Sequence, residues 1–147
     1  MSDINVLTVT DELQTIVKKF RFRRAKDIAL LMLEITRETP YTLKIDETFE
    51  NIDDISEIAD ELPDFHARYL VLSYKIEHDD GRVQFPLCLV FWGPDGGDPK
   101  GLMLYTSMRN EICKLTGVDT VFELQDKDDL DHDWVIDQLK TKNKRRF

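Results

Sequence analysis

The chain has 147 residues, of which 41% are hydrophobic and 10% aromatic, and it carries a net charge of -9. This length and composition suffice for one sizeable hydrophobic core and leave little room for a second domain. The net negative charge argues against nucleic acid as a partner, because contacts to phosphate dominate nucleic-acid affinity and require a basic surface.

The N-terminus lacks the features of a targeting segment. Met1 is not followed by a basic region and an apolar stretch, and no apolar run approaches the roughly 20 residues that span a bilayer. We therefore expect a cytoplasmic protein without a transmembrane segment. Cys88 and Cys113 form neither a metal-binding spacing nor a disulfide framework, so we expect both to be reduced and structural.

The first third of the chain predicts a helix, two strands and a second, acidic helix. Apolar residues at helical spacing indicate a first helix that begins near Thr10. This stripe comprises Leu13, Ile16, Val17 and Phe20. The elements expected next are strands at residues 28–35 and 41–45 and a short acidic helix at residues 53–62.

A hairpin is predicted between two apolar strands at residues 69–76 and 83–92. Both runs are rich in β-branched and aromatic residues, and the Asp80-Gly81 pair between them favours a tight turn. Such a turn projects Asp79, Asp80 and Arg82 beyond the sheet.

A long amphipathic helix is predicted at residues 99–115, because Asp98 can cap it and Pro99 suits its first position. Its core face comprises Tyr105, Met108, Ile112 and Leu115. Its opposite face carries Lys100, Met103, Ser107, Asn110 and Lys114. Met103 fits either of two roles, insertion into a groove of a partner or membership of a wide core stripe.

The last part of the chain predicts a strand at residues 121–124 and a helix at residues 131–139. Strands grouped in the middle, with helices before, between and after them, indicate an α/β (α+β) fold with a mixed sheet between helices. We expect residues 1–139 to form this single domain and residues 140–147 to be a basic, disordered tail.

No motif for catalysis or for a cofactor is present in the sequence. The three histidines lie outside nucleophile motifs, and no Gly-rich loop ends in Gly-Lys-Ser/Thr. The acidic run at residues 126–133 resembles a calcium loop in which Asp129 would take position one. Trp134 then replaces the glycine of position six and Lys140 the glutamate of position twelve, so this reading fails. We therefore predict a non-enzymatic protein without a metal site.

Two basic clusters interrupt the acidic chain, one at residues 18–26 and one at residues 140–146. Local basic patches on an acidic body suit docking to an acidic protein surface or to an anionic lipid headgroup. The alternative is a solvated surface cluster and a tail. The candidate binding residues of the first cluster are Lys19, Arg21, Arg23 and Arg24.

Several segments resemble a known family. The segments at residues 90–95, 103–109 and 115–117 look like the fourth strand and long helix of the actin-depolymerising factor homology fold, which cofilins share. A narrower likeness to the glia maturation factor branch is carried by residues 19–23, 60–63, 73–75, 78–83 and 86–88. The resemblance extends from about residue 9 to about residue 139. It implies a central mixed sheet of five to six strands with helices on both faces.

The function implied by this resemblance is non-enzymatic regulation of branched actin networks. Glia maturation factors are expected to bind the actin-related protein 2/3 complex, to inhibit its nucleation of filaments and to promote release of branches. The implied location is the actin cytoskeleton of the cell cortex and of lamellipodium-like structures, and the implied state is a monomer.

The resemblance also transfers two binding surfaces. An actin-related subunit would be bound by Ser2, Lys100, Met103, Ser107, Arg109 and Asn110. Arg109 stands where the family pattern has a lysine, so the charge is kept while the geometry changes. A second surface, by analogy with the filament-binding face of cofilins, would comprise the last helix and the hairpin residues Asp79, Asp80 and Arg82. This hairpin tip is acidic where cofilins carry lysines.

Two alternative functions stay open. The first is direct actin binding with filament severing, as in cofilins. Trp92 and the basic tail favour it, whereas Gly101 and Leu102 disfavour it because cofilins have serine and lysine there. The second is an adaptor that binds phosphoinositides through residues 18–26.

Overall fold

The computed structural model describes the backbone of residues 6–145 and the side chains of residues 6–141. In chain order the helices and strands are α1 (Asp11–Arg21), β1 (Ala29–Ile35), β2 (Leu43–Phe49), a 3-10 helix (Ile55–Glu61), β3 (Arg68–Ser73), β4 (Ile76–Glu77), β5 (Val83–Gln84), β6 (Leu87–Trp92), α2 (Pro99–Ser107), α3 (Arg109–Thr116), β7 (Val121–Leu124), a short 3-10 turn (Lys127–Asp129) and α4 (His132–Arg145).

Five strands form one mixed sheet in the order β2-β1-β3-β6-β7. All neighbouring strands are antiparallel except β6 and β7, which are parallel. The parallel pair requires a crossover connection, and α2 and α3 supply it. Strands β4 and β5 form a separate two-stranded ribbon. The predicted mixed sheet with helices on both faces is confirmed.

The sheet is buried on both faces by two layers of helices. On one face, Leu31 and Val71 of the sheet belong to the same core as Val17 of α1 and Met108 at the end of α2. The opposite face packs against the 3-10 helix Ile55–Glu61 and α4; the residues of this second core include Leu30, Leu70, Ile55 and Val135. Alternate side chains of each strand therefore enter different cores, as the pleat of a strand requires.

The predicted hairpin strands are each broken into two pieces. The first run ends as part of the sheet at Ser73, and the second enters the sheet only at Leu87. Pro86 lies at the second break and has no N–H to donate, although its carbonyl accepts a hydrogen bond from the Tyr74 amide at 3.0 Å. The ribbon β4-β5 is consequently a short unit separate from the sheet, and Ile76 packs against the second core.

The predicted helix at residues 99–115 is also interrupted. Met108 has φ -95° and ψ 4°, and its amide is shared between the carbonyl groups of Leu104 and Tyr105 at 3.2 Å each. Its side chain is fully buried, so the interruption lies against the core and not on the solvent side. Gly117 ends α3 with φ 74°, in the left-handed region that favours glycine.

Two other predicted ends lie four or more residues from the observed ones. Strand β2 continues to Phe49 instead of ending at residue 45, because it pairs with β1 as far as Leu30. The last helix continues to Arg145 instead of ending at residue 139. The division between a domain and a tail at residue 139 is therefore not marked by a helix end, and disorder of the tail stays a prediction.

Two tyrosines hold α2 on the sheet. The Tyr105 hydroxyl accepts a hydrogen bond from the Ile35 amide of β1 at 2.8 Å, and the Tyr69 hydroxyl of β3 donates to the Tyr105 carbonyl at 2.6 Å. The two rings stack with their centroids 5.9 Å apart. Burial raises the pKa of both phenols. These contacts determine which side of α2 faces the core.

A third tyrosine joins the end of β3 to α4. The Tyr74 hydroxyl lies 2.6 Å from Nδ1 of His132, and the two rings stack at 5.7 Å. Burial, followed by the nearby carboxylates of Asp54 and Asp131, raises the pKa of Tyr74 to about 12. The sequence analysis did not identify this contact.

Replacement of this phenol should change the response of the protein to alkaline pH. We expect Tyr74→Phe to lower the free energy of unfolding by about 1 kcal/mol near neutral pH, because one hydrogen bond is lost. Since the pKa of Tyr74 is raised from 10.0 to about 12 on folding, the stability that this phenol contributes is complete below pH 10. It is lost as the pH rises towards 12. Urea unfolding at a series of pH values should therefore show a steeper loss for the wild type than for the variant, and parallel losses would contradict the assignment.

Candidate functional site

The outward side of α2 and α3, which we term the long-helix face, begins at a well-capped helix end. The Asp98 carboxylate accepts a hydrogen bond from the Lys100 amide at 3.3 Å, and its carbonyl accepts from the Leu102 amide at 3.0 Å. Pro99 occupies the first turn. Of the predicted contact residues that the structure describes, Lys100, Met103, Ser107 and Asn110 follow this face. Arg109 lies four positions after buried Tyr105 and is directed towards β7.

Met103 lies on the solvent side of α2. It is 74% exposed, the largest exposed fraction among the bulky apolar residues described, whereas Tyr105, two positions later, is buried. Successive residues of a helix are about 100° apart, so these two side chains point to nearly opposite sides. Of the two roles that the spacing leaves open for Met103, membership of the core stripe is excluded.

The neighbouring polar residues differ in whether they already form a hydrogen bond or an ion pair within the protein. Lys100 and Asn110 are exposed. The Ser107 hydroxyl is exposed but donates to the Leu104 carbonyl at 2.7 Å, which leaves its oxygen to accept from a partner. The Arg109 guanidinium lies 3.8 Å from a carboxylate oxygen of Glu123 in β7, and their side chains are 42% and 63% exposed. At that exposure the ion pair is weak and can be replaced by a partner.

The N-terminal segment lies beside the start of β2 at Thr8. The Thr8 amide donates to the Tyr41 carbonyl at 2.7 Å, and the Leu43 amide donates to the Thr8 carbonyl at 3.0 Å. Ser2, the sixth predicted contact residue, lies outside the described residues.

The tip of the ribbon is a tight turn with internal hydrogen bonds. The amide of Gly81, at φ 91°, donates to the His78 carbonyl at 2.9 Å. The Asp80 carboxylate accepts from the Arg82 amide at 3.1 Å and from its guanidinium at 2.7 Å. These two hydrogen bonds hold the pKa of Asp80 below its usual value. Asp80 and Arg82 therefore neutralise each other, and exposed Asp79 carries the net negative charge of the three.

Arg23 differs from the other residues of the predicted basic patch. Lys19, Arg21 and Arg24 are exposed, but the Arg23 guanidinium forms a 2.6 Å ion pair with Asp27, and both side chains are only 15% exposed. Burial raises the pKa of Asp27, but hydrogen bonds from the Asn51 amide and then from Arg23 outweigh it, so the pKa is lowered. Arg23 is thus bonded within the segment between α1 and β1, and Asp27 joins that segment to Asn51 in the loop after β2.

Of the predicted patch, Arg21 lines a depression between α1 and α3, whereas Lys19 and Arg24 do not. Its lining includes Lys18, Arg21 and Lys114, together with the carboxylate of Asp11. The Arg21 guanidinium also packs on Gly117, where a Cβ atom would lie 2.8 Å from its Cζ atom. The glycine therefore gives Arg21 room as well as ending α3.

Metal and disulfide chemistry find no support in the described part of the chain. Within residues 6–141, no group of three His, Cys, Asp or Glu side chains is arranged to hold a metal ion. Asp131, within the acidic run at residues 126–133, accepts a hydrogen bond from the Trp134 amide at 2.8 Å at the start of α4. Cys88 and Cys113 belong to the cores on opposite faces of the sheet and so cannot pair. None of the described helices has the length and apolar character that crossing a membrane requires.

Phe65 is exposed beside the long-helix face and was not identified from the sequence. It is 65% exposed, and its carbonyl accepts a hydrogen bond from the Asp98 amide at 3.0 Å, at the cap of α2. The sequence gives no signal for this exposure, since Leu62 and Tyr69 lie at helical spacing from Phe65 and are both buried.

Comparison with known proteins identifies the family. Residues 6–140 match the family model described as cofilin/tropomyosin-type actin-binding protein. The chain is 35% identical over 134 residues to glia maturation factor beta of Homo sapiens, which covers 91% of this chain and 93% of that protein. It is 31% identical over 140 residues to glia maturation factor of Drosophila melanogaster, with coverage of 95% and 100%.

Solved structures agree with this relationship. The solution structure of glia maturation factor from Caenorhabditis elegans matches with a TM-score of 0.77 at 29% identity, over 93% of this chain and 98% of that one. The crystal structure of Streptomyces griseoflavus cofilin has a TM-score of 0.73 at 19% identity, over 90% and 96% of the two chains, which shows a shared fold. The chain therefore belongs to the cofilin/tropomyosin-type actin-binding family, in its glia maturation factor branch of non-enzymatic actin regulators.

Proposed function

We propose that this protein binds the actin-related protein 2/3 complex, inhibits its nucleation of actin filaments and promotes the release of filament branches. The observation that carries the proposal is the exposed long-helix face with Met103 at its centre, in a chain whose relatives are glia maturation factors. This function belongs to a monomer in the cytoplasm, at the actin cytoskeleton of the cell cortex and of lamellipodium-like structures.

The long-helix face supplies the first contact, with an actin-related subunit. Lys100, Met103, Ser107 and Asn110 follow one another along roughly 15 Å of helix, since each residue advances the axis by about 1.5 Å. An unbranched, exposed methionine adapts to an apolar groove, and the polar residues around it supply hydrogen bonds at the rim. Burial of Met103 in the partner gains free energy without repacking of this protein.

The ribbon β4-β5 supplies the second contact. It leaves the sheet at Tyr74 and ends in the turn that carries Asp79, so its tip can reach another surface while the long-helix face stays bound. The charge of Asp79 would contact the adjacent filament subunit or compete for its contacts at the branch. We assign docking to the helices and branch release to the ribbon.

Truncation of the long-helix face should weaken binding without unfolding the protein. We expect Met103→Ala with Arg109→Ala to reduce affinity for the complex by about 5- to 30-fold, since a loss of 1 to 2 kcal/mol is typical of such a contact. Thermal stability should change little, because Met103 is exposed and the ion pair of Arg109 is weak. Titration calorimetry with the purified complex measures the affinity.

The matched control is Ile16→Ala, which truncates an exposed apolar residue of α1 outside the long-helix face. It should bind like the wild type. If the double variant binds with unchanged affinity, the long-helix face is not the docking site. Cosedimentation with bare filaments separates this function from the severing activity of a cofilin-like protein, since our proposal expects little binding to filaments that lack branches.

Loss of the acidic tip should affect branch release more than docking. We expect Asp79→Ala with Asp80→Ala to lower the rate of branch release at saturating protein, with only a small change in affinity, because an exposed charge typically contributes 0 to about 1 kcal/mol. Microscopy of preformed branches measures the rate. Asp79→Ala alone should reproduce most of the effect, since Asp80 is already paired with Arg82. Release at the wild-type rate by the double variant would reject a role for the ribbon.

A second candidate function is supported by the depression between α1 and α3. Its three cations can hold an anionic headgroup against the protein, which would recruit it to phosphoinositides. We expect binding to phosphoinositide vesicles to fall steeply between about 0.1 M and 1 M salt, because the Debye length shrinks from about 10 Å to 3 Å. Lys18→Ala with Lys114→Ala should remove this binding, whereas Lys44→Ala, on β2, should keep it. Salt-independent binding would reject this function.

A further inference from the structure

The loop before β3 presents one aromatic side chain to solvent on a backbone that is held from several sides. The Trp92 ring N–H of β6 donates to the Pro63 carbonyl at 2.8 Å. The Lys127 ammonium forms a 2.6 Å ion pair with Asp64. The Asp98 amide donates to the Phe65 carbonyl at 3.0 Å. These contacts come from separate parts of the chain and converge on three consecutive residues.

A fourth contact completes the attachment. The Arg37 guanidinium, which follows β1, donates to the His66 ring, with 2.9 Å to Nδ1. All four residues from 63 to 66 are therefore bonded to other elements, yet the Phe65 ring remains 65% exposed. These contacts reduce the conformational entropy of residues 63–66 before any partner binds, so less is lost on binding. The Phe65 side chain then has only two torsions to fix, and aromatic residues are enriched at the centres of interfaces.

This loop is continuous with the long-helix face. The Phe65 carbonyl accepts a hydrogen bond from the amide of Asp98, the capping residue of α2. Met103 lies five residues after Asp98, about 7.5 Å further along the helix axis. Next to the loop, His66 and Lys100 line one depression of about 680 Å³. Lys100 thus belongs to both the depression and the long-helix face. A partner that covers Met103 also covers Phe65 if the contact surface of the partner follows α2 towards the N-terminus of that helix.

The charges around this depression indicate the chemistry of the partner surface. Arg68, in its wall, is compensated by Asp46 at 3.0 Å and Glu34 at 3.4 Å. The remaining cations of the lining are Arg37, Lys44 and Lys100, and the remaining carboxylates are Glu38 and Asp98. With Asp46 and Glu34 included, four carboxylates accompany four cations here, so this depression is close to neutral in a chain whose net charge is -9. A complementary surface therefore has an apolar pocket for the ring without an excess of either charge at its border.

We propose that Phe65 is a second apolar anchor of the docking surface and enters an apolar pocket on the subunit that binds the long-helix face. This inference rests on the proposed function, because the same partner must cover both residues. Phe65 and Met103 then form two fixed points on either side of the Asp98 cap, which determine the orientation of the bound protein as well as its affinity.

The test compares two phenylalanines of equal exposure. Phe65→Ala should weaken binding to the purified complex about tenfold or more, as expected for an interface hot spot, with an unchanged melting temperature. Phe22→Ala is the control, since Phe22 is also 65% exposed but lies at the end of α1, near Gly117. It should bind like the wild type. Phe65→Leu should recover part of the affinity, because it keeps an apolar side chain.

A measurement of the wild type and of Met103→Ala in the same titrations separates the two hypotheses. If Met103→Ala weakens binding and Phe65→Ala does not, the anchor role of Phe65 is wrong while the proposed function stands. If the wild type does not bind the complex, the proposed function fails and the inference fails with it. Asp64→Asn, which breaks the ion pair with Lys127, should produce a smaller loss than Phe65→Ala, because the ring remains but its loop is less firmly held.

Discussion

Burial of the central sheet on both faces is the constraint on which the other features of this structure depend. Strands β1, β3 and β6 each have buried side chains at almost every position, in both orientations of the pleat. Such strands require a layer of helices on each side. Helices α1, α2 and α3 form one layer, and α4 with the 3-10 helix Ile55–Glu61 forms the other. What remains for recognition is the outer face of these helices and the turns beyond the sheet.

The buried tyrosines convert this packing into a defined orientation of the binding residues. A helix that rests on a sheet through apolar contacts alone can rotate or slide at modest cost. Hydrogen bonds from Tyr69 and to Tyr105 remove that freedom, because a buried polar group without a partner costs free energy. With Tyr105 fixed, Met103 must face solvent. The exposed methionine is thus a consequence of hydrogen bonds on the opposite side of the same helix.

Internal ion pairs reduce the charge that is available to partners. Arg23, Arg68 and Arg82 are each engaged with carboxylates of the same chain. A count of basic residues along the sequence treats them as equivalent to Lys18 or Lys100, although these two lysines form no ion pair within the described residues. Fewer cations are therefore available to a partner than the basic clusters of the sequence indicate.

The sequence by itself determined the fold class, the order of the elements and the capped start of α2, because hydrophobic periodicity, turn residues and caps are local signals. Strand β7 and the ends of β1 were predicted within one residue. The tertiary structure alone decided the break at Met108, the exposure of Met103 and Phe65, and the pairing of Tyr74 with His132, 58 positions away. Each of these depends on contacts between residues that are distant in the chain, and no local pattern encodes such contacts.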